Sequence, residues 1–376
     1  MNGISDFLTV MHLSSQSGWR GGEQQIAYLL EEMREKGIGQ LVLCPSGSEM
    51  ETFCRENDYA FELFRPAGSF SLRAAGRIRT SAQLHEIVLL HAHDSHSLNH
   101  AVLANRLFRV KLPVVVNRRV DFPVKSVWKY RHHSVKRIIC DSDNIRRVMR
   151  RCLGGEEKLL TIHSGIDVRR FSGSRNRGVL RRQYHVPDEE LLVGNVAAIA
   201  DQKDYFTFVD AAELLSGRID GLRFLVIGDG PDREKIEKYI ARKKLTNRFI
   251  FTGFRRDIPD ILPELDCFLM TSKTEGLGTV IIEAFASGVP VAATAAGGIP
   301  EIVTHGETGM LSPVGDAQSL AESVHAILRD EELRRRLVEN ASRVPQRFDK
   351  KEIARKTIEV YREVVDSQPI MTSSSG

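Results

Sequence analysis

At 376 residues, with 42% apolar and 27% charged side chains, the chain has the make-up of a water-soluble globular protein and the length of two domains rather than one. No apolar run approaches the ~20 residues of a membrane-spanning helix. No basic-then-apolar leader opens "MNGISDFLTVMHLSS", and five scattered cysteines without metal-ligand spacing fit a reducing cytosol. The net charge of +4 conceals an imbalance: residues 1–185 hold 29 basic and 18 acidic side chains, and the remainder 24 and 31. A basic half suits an anionic lipid surface, an anionic acceptor or a plain solvated face. No recognisable DNA- or RNA-binding signature accompanies it, and aromatics are few among the basic residues, so nucleic acid is not an expected partner.

In chain order, "FLTVMHL" reads as a buried strand, "SSQSGWRGG" as a loop, "EQQIAYLLEEMREKG" as an amphipathic helix ending at Gly37, and "QLVLCPSG" as strand then turn. "EIVLLHAHD", "PVVVNRRVDF" and "RIICDS" continue the alternation. After the polar, basic stretch "SRNRGVLRRQYHVPDEE" the pattern restarts with strands in "LLVGNVAAI", "LRFLVIGDGP", "RFIFTGF", "DCFLMTS" and "VPVAAT". Short apolar runs separated by helices predict parallel sheets covered on both faces. The expected fold is therefore α/β, with two Rossmann-like doubly wound domains joined by a linker near residues 172–187. The boundaries are 1–180, with the helix at about 351–367 added, and 187–350. "MTSSSG" reads as a disordered tail.

Ligands of open α/β sheets bind beyond the carboxyl ends of the strands, so the loops after strands carry the chemistry. In "TSKTEGLGTVIIEAFASG" the strand ends near Ser272, and a helix starts near Gly278 or Thr279 and stops at Gly288. Glu275 falls in the loop. Gly276 and Gly278 permit close backbone approach, and the amides at the helix start, with the positive end of its dipole, suit a phosphate. Glu283, about one turn further in, could accept hydrogen bonds from vicinal hydroxyls, as an acidic residue does for a ribose. The spacing fits a molecule with a phosphate in the middle and a ribose at one end. Taken alone, a helix-start charge and a solvated helix residue fit about as well.

Lys203, after the second half's first strand, could neutralise a pyrophosphate or be an ordinary loop lysine. Gly21 and Gly22 open the first helix and offer another anion site, although the spacing is not that of a GxGxxG fingerprint. Gly297 and Gly298 allow a similar approach after "VPVAAT", whereas "VIGDGP" reads best as a structural turn. His91, His93, His96 and His100 crowd "HAHDSHSLNH". A metal site is rarely built from one strand, and nothing else in the chain supplies an obvious carboxylate or thiolate partner, so no metal is expected. Arg118 and Arg119 end the strand "PVVVNRR", as phosphate ligands or as a charged rim.

The combination of "TEGLGTVIIEAFASGVPVAATAAGGIPEIVTHGETGMLSP", "VIGDGP", "FTGF", "IHSGID" and "GGEQQ" closely resembles the family-4 retaining glycosyltransferases of group 1, which have the GT-B fold, and Glu275 and Glu283 match that family's E-x7-E motif. The resemblance spans most of the chain and is densest from Gly194 to Pro313. It implies two domains facing across a cleft, with the last helix crossing back to the first. The implied reaction is transfer of a sugar from a nucleotide-diphosphate sugar to an acceptor hydroxyl, with retention at the anomeric carbon and neither metal nor cofactor. The resemblance further implies that Glu275 contacts the donor sugar, Glu283 the ribose, and the backbone of Gly276, Leu277, Gly278, Thr279 and Val280 the diphosphate. It casts Lys203 as neutralising the leaving group and Gly21 and Gly22 as approaching the donor phosphate. Gly228, Gly253, Phe254, Asn117 and His93 complete the expected donor-binding set. The implied acceptor is a glycan or glycolipid of the bacterial-type cell envelope, met at the inner membrane face. Two positions depart from the family: the arginine usual five residues before the lysine is Ala198, and Arg119 falls about where a histidine is common. Arg118 or Arg119 is expected to replace the missing guanidinium, with Arg119 grouped with Glu275 and Lys203 as catalytic. The alternatives left open are a nucleotide-sugar 2-epimerase of the same fold and a catalytically impaired relative that binds nucleotide sugars.

Overall fold

The structure, a computed structural model, describes residues 8–65, 68, 70–172 and 178–368. Its contacts divide the chain into two units, Met1–Gly165 with Lys350–Gly376, and Ile166–Asp349. The expected tail "MTSSSG" and part of the expected linker lie outside the described residues.

The first unit holds a seven-stranded parallel sheet of β1 (Thr9–Leu13), β2 (Gly39–Pro45), β3 (Phe61–Phe64), β4 (Leu89–Ala92), β5 (Val114–Arg118), β6 (Val135–Cys140) and β7 (Leu159–Thr161). Their order is β3-β2-β1-β4-β5-β6-β7. Alternate side chains feed two cores. Met11, Leu43, Leu90 and Val116 pack with the helices Leu72–Leu84 and Ser95–Leu107. On the other face Val10, Leu89, Val115 and Ile139 pack against Tyr361, Ile358 and Val365 of the C-terminal helix Lys350–Asp366, and against Leu29 and Met33 of the helix Gly21–Glu35. Burial on both faces explains why these strands read as continuous apolar runs.

The second unit repeats the plan with β8 (Leu191–Val196), β9 (Leu222–Ile227), β10 (Phe249–Gly253), β11 (Cys267–Met270), β12 (Val291–Thr294) and β13 (Met310–Ser312), in the order β10-β9-β8-β11-β12-β13. Leu225, Phe268, Met270 and Val291 meet the helix Thr279–Ala286, while Phe224, Val226, Leu269 and Ala292 meet the helices Tyr205–Ser216 and Ala317–Arg329.

The first boundary falls earlier than the sequence suggested. Val168, Phe171 and Leu180 are buried in the second unit's core beside Phe268 and Ile281, so the chain has already joined that unit before the basic stretch read as a linker. The short strands β3, β7 and β13, of 4, 3 and 3 residues, lie at sheet edges and lack the apolar runs by which the central strands announce themselves.

Strand order reverses between β1 and β4 in one sheet and between β8 and β11 in the other. At such a point the two following helices pack on opposite faces, which opens a crevice at the carboxyl ends of the strands. The loops after β8 and β11 carry Lys203 and Glu275. Those after β1 and β4 lead to Gly21 and His93.

Candidate active site

In the second unit the two switch-point loops are fastened to one another before any charge is considered. Thr271 Oγ1 donates to the carbonyls of Lys203 at 2.9 Å and Asp204 at 3.0 Å, and the amide of Lys273 donates to Gln202 O at 2.9 Å. Lys273 Nζ reaches Asp201 at 2.9 Å. On this frame Lys203 Nζ meets Glu275 Oε2 at 2.5 Å, and Ser272 Oγ donates to the same oxygen at 3.2 Å. The two charged side chains are largely covered, at 19% and 14% exposure, so their attraction is screened less than that of a surface pair.

Glu275 leads directly into the helix Thr279–Ala286. Gly278, its N-cap, has φ +91°, a left-handed conformation in which any other residue would be strained. No side chain caps this helix; the Ile281 amide donates back to Gly278 O at 2.9 Å, and the amides of Thr279 and Val280 stand at the helix start with the positive end of the dipole behind them. Leu277 is buried in the core and offers the site only its backbone. Glu283 is partly covered, and burial pushes its carboxyl up to about 8, against the opposing pull of Arg170. Gly228 and Gly253 pair by a backbone bond of 2.9 Å at the ends of β9 and β10. A Cβ on Gly228 would stand 2.1 Å from Ala197 O, so this glycine is demanded by close packing, while Phe254 next to Gly253 is 60% exposed. Ala198 lies between Ala197 and Ile199, whose carbonyls leave no room for a Cβ on Gly228 or Gly230.

The first unit's switch point is built differently. Gly21 and Gly22 open the helix Gly21–Glu35, and a Cβ on Gly22 would lie 3.9 Å from Arg119 Cδ. Arg119 Nη1 donates to His93 O at 2.7 Å, Nη2 approaches His93 Nδ1 at 3.5 Å, and Nε stands 3.5 Å from Asp141 Oδ2. Asn117 links His91 to Asp141. His12, His91 and His93 are buried with ring nitrogens within 4.8 Å of one another. Burial holds all three neutral, His12 down to about 3 and the others well below the usual imidazole range. Neutral imidazoles could ligate a metal, but most of these nitrogens already hold partners: His12 Nδ1 and His93 Nε2 bond each other at 3.0 Å, and His91 bonds Asn117 and Tyr361, while the buried His12 Nε2 has no hydrogen bond.

Arg118 corrects an expectation. Instead of presenting a guanidinium, it is buried, donates to Phe122 O at 2.6 Å and lies 4.9 Å over the Phe122 ring. β5 ends at Arg118, whose side chain turns to Phe122, and Arg119, the next residue, turns to His93 and Asp141 beside Gly22. The sequence reading missed Lys273, Ser272, Asp141 and Tyr361. The first two were legible as polar residues at the end of β11. Asp141 and Tyr361 reach their partners across 22 and 270 positions of chain, with no local pattern to mark them.

Two parallel-sheet units with a fastened lysine–glutamate pair beside a glycine-opened helix define a glycosyltransferase of the GT-B fold. Residues 176–344 match the profile of "Glycosyl transferases group 1" and residues 19–170 that of "Glycosyltransferase Family 4", and the chain belongs to this family. It is 26% identical over 321 residues, 82% of each chain, to N-acetyl-alpha-D-glucosaminyl L-malate synthase of Bacillus anthracis. It is 27% identical over 225 residues, 60% of this chain and 62% of the relative, to the lipopolysaccharide core biosynthesis glycosyltransferase LpsE of Rhizobium meliloti. The crystal structure of Anabaena HepE with UDP and glucose has the same fold, with a TM-score of 0.83 at 24% identity over 95% of this chain and all of that one. These likenesses place the chain among transferases rather than epimerases.

Proposed function

We propose that the protein transfers a sugar, with retention, from a nucleotide-diphosphate sugar to a hydroxyl of a cell-envelope glycan or glycolipid, without a metal. The carrying observation is the 2.5 Å contact between Lys203 and Glu275 at the mouth of the uncapped helix Thr279–Ala286. That arrangement gathers a cation, a carboxylate and helix-start amides where the diphosphate and the sugar of one donor are to be held. Lys203 and the amides of Gly278, Thr279 and Val280 stabilise the negative charge that grows on the departing diphosphate. Glu275 orients the donor sugar, and Glu283 takes the ribose hydroxyls. The acceptor hydroxyl attacks from the face the leaving group vacates, and its proton passes to a leaving phosphate oxygen. The first unit contributes the acceptor side of the reaction and, with Arg118 occupied elsewhere, the Arg119 guanidinium.

A UDP-linked donor is the first choice, because the HepE structure holds UDP. The basic character of residues 1–185 supports an acidic or membrane-borne acceptor at the cytoplasmic face. Among the described residues no helix is long and apolar enough to cross a membrane.

Calorimetry with the common nucleoside diphosphates, followed by the sugar conjugates of the tightest, tests the reading. One diphosphate should bind at micromolar Kd, and Glu275→Gln should retain that binding while abolishing transfer. Equal, weak binding of every diphosphate, or full transfer by Glu275→Gln, would sink it. Anomeric proton couplings of the product decide retention.

A further inference from the structure

A run of hydrogen bonds joins the C-terminal helix to the first unit's switch point, and the chemistry of its members fixes its direction. Asn117 Oδ1 can only accept, so His91 must carry its proton on Nε2 to bond it. His91 Nδ1 is then an acceptor, and Tyr361 Oη, 2.5 Å away, must be the donor. The other end of the Asn117 amide, Nδ2, donates to Asp141 Oδ1 at 3.4 Å, and Ser164 Oγ donates to Asp141 Oδ2 at 2.5 Å. Asp141 in turn faces Arg119 Nε at 3.5 Å. Each member is held to one orientation by the one before it. The groups facing His91 across this run are neutral His12 and His93 and the Arg119 cation, and Tyr361, fully buried, stays protonated.

The far end of this run has slack. A cavity of about 30 Å³, lined by His91, Asn117, Arg119, Asp141 and Ser164 among others, lies against it. That is room for a water and for side-chain movement. The Arg119 guanidinium is held by His93 O on one side and by Asp141 on the other. If Asp141 turns away, the cavity gives the guanidinium somewhere else to go.

We propose that Tyr361 is a positioning residue for Arg119, acting through His91, Asn117 and Asp141, so that the C-terminal helix helps set the place of a guanidinium whose own bonds go to His93 and Asp141. The inference rests on the proposed part of Arg119 in transfer. It explains why a helix whose packing needs only an apolar ring at this position carries a hydroxyl in a fully buried place.

The test is Tyr361→Phe, which deletes one oxygen and keeps the ring in its core. With ¹⁵N-labelled histidine and arginine, the wild-type protein should show His91 as the Nε2–H tautomer with a hydrogen-bonded Nδ1, and one sharp Arg119 Nε signal. In Tyr361→Phe the His91 Nδ1 resonance should shift and the Arg119 Nε signal should shift or broaden. Release of nucleoside diphosphate from the donor should slow roughly threefold to tenfold, the range of one net hydrogen bond. In an Arg119→Ala background the same change should cost nothing further. Unchanged His91 and Arg119 signals in Tyr361→Phe, or losses that simply multiply with those of Arg119→Ala, overturn the positioning proposal while leaving the role of Arg119 intact. Full turnover by Arg119→Ala overturns that role instead, and with it any benefit of placing the guanidinium.

Discussion

In the second unit the switch-point loops bring an ammonium and a carboxylate to 2.5 Å of each other. In the first they bring three imidazoles together and hold all of them neutral. The same topology thus supports two kinds of site. One presents charge beside open backbone amides, which is what a diphosphate leaving group requires. The other stores geometry, in a buried network whose single clear cation, Arg119, is held in place by neutral partners and one carboxylate. A parallel sheet with a reversal of strand order supplies a crevice; which side chains enter it decides whether the crevice binds an anion or orients a group.

The strongest way to break this contrast is to remove charge from the second unit. Lys203→Ala should lower transfer by roughly 10²–10³-fold, the usual loss when one preorganised partner of developing charge goes, with folding retained. A loss below about tenfold in donor turnover would mean that the charge at this site has another source. Next in size is the paired arginine test in the first unit. Arg119→Ala should reduce turnover by roughly tenfold to a hundredfold, the scale of a charge-assisted hydrogen bond. Arg118→Ala should instead lower stability by about 1–3 kcal/mol through lost buried bonding, with turnover per folded molecule unchanged. Reversed outcomes would show that the burial of Arg118 had been misread as structural.

The smallest effects sharpen the comparison through pH. The three histidines have folded pKa values below the unfolded value of 6.5. The unfolded chain therefore gains protons that the folded unit refuses, and the first unit loses stability as pH falls below about 6.5. Glu283 behaves in the opposite sense. Raised from 4.5 to about 8, it keeps a proton in the folded state that the unfolded chain has released, so the second unit loses stability as pH rises through that window and levels off above it. Hydrogen exchange followed by mass spectrometry at pH 5, 7 and 9, corrected for intrinsic rates, should show the first unit opening first in acid and the second weakening towards alkali. Glu283→Gln should abolish only the alkaline trend and weaken nucleoside diphosphate binding by roughly threefold to tenfold, as one neutral hydrogen bond would. Parallel responses of both units would refute the assignment of opposite titrations.

Much of this was legible in the sequence, for physical reasons. Central parallel strands such as β1, β5 and β9 are buried on both faces and spell out apolar runs, whereas the edge strands β3, β7 and β13 are short and half-covered. The two glutamates could be singled out because a glycine-opened helix after a strand is a local pattern, although a solvated reading fitted them as well; Lys203, in a turn after β8, had no such local mark, and the family resemblance carried it. Arg118 and Arg119 were indistinguishable in the sequence; their partners, Phe122 for the one and His93 with Asp141 for the other, separated them. Tyr361 and Asp141 could not be found by any local rule, since their partners come from distant strands. The early boundary at Ile166 was hidden because Val168, Phe171 and Leu180 sit in a stretch dominated by charge.

The first unit is discontinuous: its last helix, Lys350–Asp366, comes from the far end of the chain. During synthesis the segment through Gly165 emerges early, yet the face of its sheet formed by Val10, Leu89, Val115 and Ile139 is covered only in part, by Leu29 and Met33, until Ile358, Tyr361 and Val365 have left the ribosome. The second unit, whose residues are contiguous, can fold first, contrary to the usual N-terminal-first order. A nascent chain that stalls or ends before residue 350 leaves part of that apolar face uncovered, and such a surface is what chaperones and proteases recognise. The helix that completes the first unit's core thereby also ties that unit's folding to the synthesis of the second.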